Sequence, residues 1–265
     1  MTINQVAYCN SMDWTGALSS STLTGNQTLN IYGSLTLNPS MNLTFNGSFV
    51  FKSTEPGNTI QSSGKPLPFA YFDGLGGEWT LQDNYTSSSY IYLNQGSLVT
   101  NNNTLTINRL LSTGSLIRSL SLGSSVINIS HSSTWGWETT GSNLSLNAGT
   151  STINFTSSSA YFSSDNRTYY DINFSGAASS FNTGSSTFHN VSIAGDASIG
   201  GNATYNNLSI TGNASINSSA TYNNLTLGTS KTNNFSGIQT INGTFNCNET
   251  CDIPAKLTGS TMRNS

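Results

Sequence analysis

The nearest approach to a catalytic pair in the sequence is made by two carboxylates in the segment SSDNRTYYDINF, Asp165 and Asp171. Paired carboxylates act as general acid and base when glycosidic bonds are cleaved, so such a pair would suit a polysaccharide-degrading enzyme. Asp171, however, stands at a position that holds Asn in other copies of an internal repeat. We therefore interpret Asp171 as a structural carboxylate, and we predict no catalytic residue and no enzymatic activity.

Aromatic side chains suggest a second kind of site. Trp135 and Trp137, in the segment STWGWET, could stack against sugar rings. With Tyr161, Asp165 and Asp171 they define an alternative function, a carbohydrate-binding or depolymerising β-helix of the tailspike type. We favour the other interpretation of the tryptophans, in which they pack over an end or a seam of the β structure.

The remaining reactive residue types give little support for a metal or cofactor site. His131 and His189 are the two histidines, and His189 occupies a repeat position held by Asn206 and Asn223. It is thus interpreted as a variable side chain rather than a base, and no spacing matches a metal site or a Ser–His–Asp triad. We predict no metal ligands and no cofactor.

Three cysteines are present, Cys9, Cys247 and Cys251. Cys247 and Cys251, in FNCNETCDIP, are candidates for a small disulfide-closed turn in an oxidising compartment, and two free thiols are the alternative. Cys9 has no obvious partner.

N-x-S/T sequons occur nineteen times, whereas random mixing of this composition would give about eleven. They would be glycan sites in a secreted eukaryotic or archaeal protein, or a by-product of strands rich in Asn, Ser and Thr in a bacterial or phage protein. The candidate asparagines are Asn26, Asn42, Asn46, Asn84, Asn102, Asn128, Asn143, Asn154, Asn166, Asn173, Asn190, Asn202, Asn207, Asn213, Asn217, Asn224, Asn234, Asn242 and Asn248.

The chain repeats itself between residues 167 and 227. ATYNNLSI begins at Ala203 and ATYNNLTL begins seventeen residues later, while STFHNVSI and RTYYDINF precede them. The repeat aligns two sets of side chains, which are the aromatic set Tyr169, Phe188, Tyr205 and Tyr222 and the aliphatic set Val191, Leu208 and Leu225. A unit this short cannot bury its apolar face alone, but it can when stacked on copies of itself.

Apolar and polar residues alternate at period two, which indicates strands. We predict an all-β fold, a parallel β-helix or β-solenoid of about 15 rungs, each 17–19 residues long, and stacked columns of like side chains. A β-sandwich is the alternative, especially in the N-terminal third. Residues 1–78 are predicted to form an N-terminal β region with an irregular proline-containing loop at residues 52–78, and residues 79–265 the repeat region.

Stacking has a consequence for the sequons. Asn190, Asn207 and Asn224 should lie in one outward column, where their amides can form a ladder. A sugar is wider than the rung spacing of about 4.8 Å, so this ladder and full glycosylation of the three sites exclude each other.

The composition of the chain limits the kinds of partner that it is expected to bind. Only 7% of the residues are charged, the net charge is −3, and Ser and Thr make up 81 residues and Asn 35. No basic stripe suggests nucleic acid, and no apolar run is long enough to span a membrane. No signal peptide is visible at the N-terminus, so we expect a mature chain, a fragment or release by lysis.

Four segments carry a resemblance to known proteins: FDGLGGEWTLQD, GSNLSLNAGTSTINF, TYYDINFSG and STFHNVSI. They resemble the WTLQD, AGTSTI and TFxNLxI modules of a poorly defined group of β-repeat structural proteins of tailed-phage virions and bacterial surfaces. The likeness covers roughly residues 28–263. It implies an exposed, fibrous structural role and transfers no catalytic residue.

These observations lead to one principal functional hypothesis. We expect a non-enzymatic, self-assembling subunit of an extracellular filament or virion fibre, located outside the cell or on the virion surface. Its partners would be copies of itself, with glycans as a further candidate and with no nucleic acid and no membrane. The alternatives are the carbohydrate-binding or depolymerising β-helix and a glycosylated surface coat or adhesin.

Overall fold

A computed structural model describes residues 1–228, 231–247, 256–258 and 261–264. The chain is an all-β parallel β-solenoid of about 12 turns, with successive rungs about 20 residues apart and no helix among the described residues. The predicted fold class is thereby confirmed. The strands of the N-terminal third also pair in parallel, so the sandwich alternative is wrong there.

The strands are short and separated by turns. The first sixteen are β1 (Thr2–Ile3), β2 (Ala7–Cys9), β3 (Met12–Asp13), β4 (Thr22–Gly25), β5 (Leu29–Ile31), β6 (Leu35–Thr36), β7 (Asn42–Phe45), β8 (Ser48–Phe51), β9 (Asn58–Gln61), β10 (Phe69–Leu81), β11 (Tyr85–Thr86), β12 (Tyr90–Val99), β13 (Leu105–Ile107), β14 (Arg109–Leu111), β15 (Arg118–Ser121) and β16 (Val126–Ile129). The others are β17 (Trp137–Thr139), β18 (Leu144–Asn147), β19 (Thr152–Phe155), β20 (Ser159–Ser164), β21 (Thr168–Phe174), β22 (Ala177–Asn182), β23 (Thr187–Ile193), β24 (Ala197–Gly200), β25 (Thr204–Ile210), β26 (Ala214–Ile216), β27 (Ala220–Leu227), β28 (Thr232–Phe235), β29 (Ile238–Ile241), β30 (Phe245–Cys247), β31 (Lys256–Thr258) and β32 (Thr261–Asn264).

The chain forms two compact units. Unit 1 comprises Met1–Asn128 and Gly141–Gly149, and unit 2 comprises Ile129–Thr140 and Thr150–Ser265. The sequence suggested a change of region at residue 78, but β10 continues through that position and its Trp79 pairs with Asn58. The proposed regions 1–78 and 79–265 stay a prediction.

In unit 1 each turn contributes strands to three faces. Strands β1, β4 and β7 form the first face. The second face contains β2, β5, β8, the beginnings of β10 and β12, and β14. The third contains β3, β6, β9, the ends of β10 and β12, β15 and β18.

Glycines let the two long strands of unit 1 pass from the second face to the third. Gly76 and Gly96 both have φ of 82°, a left-handed conformation that costs glycine little. A Cβ on Gly96 would also overlap the carbonyl oxygens of Gly74 and Gly77 in the neighbouring rung. Glycine is therefore required where these rungs bend around the same corner.

Large aromatic residues fill the core of unit 1. Phe51 stacks on Phe72 with ring centroids 5.0 Å apart, and Trp79 contacts both rings. All three are fully buried, and the Trp79 Nε1–H donates to the Gly33 carbonyl at 3.2 Å. Burial of side chains of this size contributes about 2–3 kcal/mol each, which supports rungs that share no sequence repeat.

From β21 to β27, unit 2 is built from shorter rungs of similar sequence. Strands β19, β21, β23, β25, β27, β29 and β32 follow one another in one parallel sheet, and β20, β22, β24, β26, β28 and β31 follow one another in a second. Thr187 pairs with Thr204 and Thr204 with Thr221, which is the seventeen-residue step seen in the sequence. The 17–19-residue rungs are thus confirmed between β19 and β29, whereas Trp137 pairs with Phe162 and Ile238 with Thr261 over longer steps.

The predicted columns of like side chains are present in unit 2. Tyr169, Phe188, Tyr205 and Tyr222 stack with centroid separations of 5.4, 5.2 and 5.4 Å and nearly parallel rings. Val191, Leu208 and Leu225 pair in register and are buried. Aromatic stacking and aliphatic burial therefore repeat from rung to rung between β21 and β27.

Two details of the sequence interpretation need correction. About 15 rungs were expected, but unit 1 rungs are longer: Thr22 pairs with Asn42, and Arg118 with Leu144. The region 52–78 is also less irregular than expected, because it contains β9 and most of β10. The three prolines there, Pro56, Pro66 and Pro68, do lie outside strands, as the missing N–H of proline requires.

Candidate functional site

An amide ladder runs along the outer face of β21, β23, β25 and β27. Asn190 Nδ2 donates to Asp171 Oδ1 at 2.8 Å, Asn207 Nδ2 to Asn190 Oδ1 at 2.7 Å, and Asn224 Nδ2 to Asn207 Oδ1 at 2.7 Å. The backbone N–H of Thr244 closes the series by donating to Asn224 Oδ1 at 3.0 Å. The ladder predicted from sequence is therefore confirmed.

The local backbone explains why these amides point outward. In each strand two successive residues, such as Tyr170 and Asp171, lie half-exposed between the inward residues Tyr169 and Ile172. The strand bends at this point, and the second outward residue is in register with its counterpart one rung on. A carboxamide has one donor and one acceptor side, so each Asn can satisfy both neighbours.

A small polar cluster surrounds the first member of the ladder. His189 Nδ1 lies 3.1 Å from Asp171 Oδ1, and the His189 ring stacks on Tyr170 at 4.2 Å. Asn190 Nδ2 also lies 3.0 Å from His189 Nδ1. Asp171 is thus a structural acceptor for Asn190, and also for His189 in the tautomer that carries its proton on Nδ1, which agrees with the interpretation made from its repeat position.

Further polar ladders flank the first. Asn173 Nδ2 donates to Asn154 Oδ1 at 3.0 Å, and this column continues in register through Ser192, Ser209 and Thr226. Asn223 Nδ2 donates to Asn206 Oδ1 at 3.3 Å. The outer face of this sheet is therefore hydrogen-bonded from rung to rung by side chains as well as by backbone.

The structure divides the sequon asparagines into two groups. Those at turns and strand ends are exposed, namely Asn26, Asn42, Asn46, Asn84, Asn102, Asn143, Asn166, Asn202, Asn213, Asn217, Asn234 and Asn242. Asn128, Asn154, Asn173, Asn190, Asn207 and Asn224 are half-buried on strands, and Asn248 lies outside the described residues. In Asn173, Asn190, Asn207 and Asn224 the nitrogen that would carry a glycan is a ladder donor.

The candidate sugar platform of two tryptophans is not present. Trp137 is fully buried, and its Nε1–H lies 3.3 Å from Thr139 Oγ1 and 3.4 Å from the Tyr169 hydroxyl. Trp135 is half-buried and packs edge-on against Tyr161 at 6.0 Å. Trp137 thus packs inside the β structure, whereas the sequence interpretation expected packing over an end or a seam.

The two candidate carboxylates, Asp165 and Asp171, lie in different environments. Asp165 is exposed in the turn between β20 and β21, whereas Asp171 accepts the ladder bonds on β21. Within the part of the chain that the structure describes, no three His, Cys, Asp or Glu side chains are grouped as metal ligands.

The cysteines add little to the site. Cys9 is half-buried outside any disulfide, and burial raises the pKa of its thiol. Cys251 lies outside the described residues, so the Cys247–Cys251 disulfide stays a prediction.

Sequence reasoning missed an aromatic face on unit 1. Tyr71 and Tyr92 stack in parallel at 4.6 Å, Phe69 meets Tyr90 edge-on at 5.3 Å, and the Arg109 guanidinium lies 4.8 Å from the Tyr90 ring centroid. All of these side chains are half-exposed on the outer side of the second face. The alternation in the segments FAYFD and YIYLN indicated these outward side chains, because the first, third and fifth residues of each segment face outward.

This face has its own electrostatic character. Partial burial raises the pKa of Tyr92, and the neighbouring Tyr71 adds to the rise, while Arg109 opposes it. Beside the rings, Lys52 Nζ and Asp73 Oδ2 form an ion pair at 3.4 Å. The phenols and the Lys52–Asp73 ion pair give the face hydrogen-bonding capacity, and Arg109 adds a cation beside Tyr90.

Comparisons of the chain with protein-family models, with curated proteins and with solved structures find no match. Among the described residues no helix has the length and apolar character needed to cross a membrane.

Proposed function

We propose that the chain is a non-enzymatic structural protein, a self-associating subunit of an extracellular filament or virion fibre. The observation that supports this most is the in-register repetition in unit 2. There, the aromatic column inside the sheet and the amide ladder outside it extend over the same strands, β21 to β27.

Such repetition suits a load-bearing element. Each rung is held to the next by parallel backbone pairing, by ring stacking and by side-chain hydrogen bonds. Opening one rung would break all three kinds of contact together, so local unfolding should be costly and proteolysis slow. Only 7% of the residues are charged, and copies therefore repel one another weakly.

An apolar corner of unit 1 is the surface that would join two copies. Leu75, Leu116 and Ile117 are 56%, 51% and 66% exposed. They adjoin one bend of the solenoid, because Gly96 lies against residues 74–77 of β10, which include Leu75, and donates its N–H to the Ile117 carbonyl. Exposed apolar groups clustered in this way are typical of protein interfaces. A second copy of the chain is a suitable partner for this corner, because its low net charge causes little repulsion.

Sedimentation velocity over a range of concentrations tests the proposal. The full chain is expected to form species larger than a monomer, and the double variant Leu116→Ser, Ile117→Ser is expected to shift them toward the monomer. Ile238→Ser, which removes a 48%-exposed apolar side chain of unit 2, is the matched control. A chain that stays monomeric at every concentration would overturn self-association.

A further inference from the structure

A pocket next to the Tyr71–Tyr92 stack has the features of a ligand site. It is an open pocket of about 320 Å³ in unit 1, lined by Thr28, Ser48, Val50, Tyr71, Asp73 and Asn94. This volume is at the lower end of the range found for small-molecule sites. Its lining combines one aromatic ring, one aliphatic side chain and four hydrogen-bonding groups.

The column of side chains explains how the pocket arises. Tyr71 is in register with Tyr92 on one side and with Val50 on the other. Tyr92 covers one face of the Tyr71 ring, with the planes 3° apart. The opposite face is directed at the rung of Val50, whose side chain is much shorter than a tyrosine. The outer part of that ring face is therefore open to the pocket.

The polar groups around this ring can both donate and accept hydrogen bonds. Ser48 and Thr28 provide hydroxyls, and Asn94 provides an amide. Asp73 is an acceptor whose charge is compensated by Lys52, at 3.4 Å, and the two side chains are 34% and 35% exposed. Each hydroxyl of a vicinal diol can donate one hydrogen bond and accept another. Such a diol can therefore donate to a carboxylate and accept from an ammonium beside it.

We propose that this pocket binds a neutral glycan, with one pyranose ring packed on the free face of Tyr71 and its hydroxyls bonded to Asp73, Lys52, Ser48 and Asn94. The C–H groups on one face of a pyranose form an apolar surface, and this surface can pack against an aromatic ring. An anionic ligand such as a nucleotide fits less well, because Asp73 already neutralises Lys52. The site goes beyond the structural role and does not depend on self-association.

Saturation-transfer NMR and titration calorimetry with defined oligosaccharides test the proposal. The probes are neutral hexasaccharides of β-1,4-glucose, α-1,4-glucose, β-1,4-mannose and β-1,4-N-acetylglucosamine, with a polygalacturonate oligomer as the anionic comparison. At least one neutral probe is expected to bind with millimolar or better affinity, and the polygalacturonate more weakly or not at all. If no neutral probe binds, or if the anionic one binds best, the proposal is wrong.

Three variants locate the binding. Tyr71→Ala is expected to weaken binding about tenfold, because it removes the aromatic surface. Val50→Trp fills the pocket from a half-exposed position and is expected to abolish binding without changing Tyr71. Tyr161→Ala removes a half-exposed tyrosine of unit 2 and should leave the affinity unchanged. Unchanged affinity in folded Val50→Trp would overturn the proposal even if Tyr71→Ala failed to fold.

Discussion

Units 1 and 2 stack their strands in the same parallel manner, yet they do so with different sequences. In unit 2 a residue meets its own type one rung on, as Thr204 meets Thr221. In unit 1 the rungs are longer and unequal in length, and like partners such as Leu120 and Leu146 occur in the same strand pair as unlike ones such as Arg118 and Leu144. A solenoid thus requires matched register and a filled core, while sequence repetition is an additional feature that produces ladders.

The two outer surfaces differ accordingly. Unit 2 presents amides and hydroxyls that bond to one another along the sheet, as in Asn190 and Asn207. Unit 1 presents tyrosines beside an open pocket. We infer that repetition serves cohesion in unit 2 and that its absence in unit 1 leaves room for recognition.

The largest effect that separates the units is expected from deleting a rung. Removing residues 204–220 joins Ala203 to Thr221 and places Tyr222 on Phe188, so every column is retained and the melting temperature should change by only a few degrees. Removing residues 208–223 instead joins Asn207 to Asn224 inside the strand, which shifts the residues that follow by one position and turns apolar side chains outward, at a cost of more than about 5 kcal/mol.

Circular dichroism during thermal unfolding measures both deletions. Equal stability of the two would show that the columns do not determine the fold of unit 2. No excision of this kind is expected to succeed in unit 1, because its neighbouring rungs differ in length and in core residues.

Alkaline unfolding is expected to begin in unit 2, because three buried tyrosines lie in one column there, whereas Tyr85 is the fully buried tyrosine of unit 1, and burial raises its pKa too. Burial raises the pKa values of Tyr169, Tyr205 and Tyr222 in the folded state, whereas an unfolded tyrosine titrates near pH 10. The stability linked to these groups is therefore intact below pH 10 and is lost as the pH rises above it. Each such tyrosine lowers the free energy of unfolding by about 1.4 kcal/mol for every pH step of about 1 between its unfolded and folded pKa values.

Hydrogen exchange at increasing pH locates this transition, and tyrosinate absorbance follows the titration. Tyr222→Phe keeps the ring in the column but removes its ionisation, although the bond from its hydroxyl to Gln239 Oε1 is lost. This variant is expected to move the alkaline midpoint upward. The prediction would be contradicted if all the tyrosines titrated near pH 10 while the backbone amides of unit 2 kept their protection from hydrogen exchange.

The smallest of the three effects concerns the amide ladder. Asn207→Asp replaces a donor with a carboxylate facing Asn190 Oδ1, and we expect a loss of about 2 kcal/mol at neutral pH. Asp171→Asn keeps an acceptor oxygen at the first position of the ladder, so its effect should be within about 0.5 kcal/mol. Urea unfolding measures both variants, and similar losses in the two would mean that ladder direction is unimportant.

The sequence predicted unit 2 better than unit 1 for a physical reason. Rungs of equal length place Tyr205 and Tyr222 at the same phase of the repeat, so stacking and the Asn207–Asn224 bond could be inferred directly. In unit 1 the period-two alternation is the same for parallel and antiparallel strands, and only pairing between distant residues decides between them.

The surface features could likewise be predicted from the sequence only where the repeat aligns their residues. The ladder could be predicted because its members alternate with inward residues of the repeat. The aromatic face could not, because Tyr71 and Tyr92 are brought together by a rung that has no repeat to mark it. The contact between His189 and Asp171 was also missed, since it joins neighbouring columns rather than one column.

X-ray diffraction from aligned assemblies of the full chain tests the central proposal most directly, because it reports both assembly and the direction of stacking. Assemblies of stacked rungs should give a strong reflection near about 4.8 Å along the direction in which the strands follow one another. Ordered assemblies that lack this reflection, or no assemblies at any concentration, would contradict the proposal that the protein is a fibre subunit.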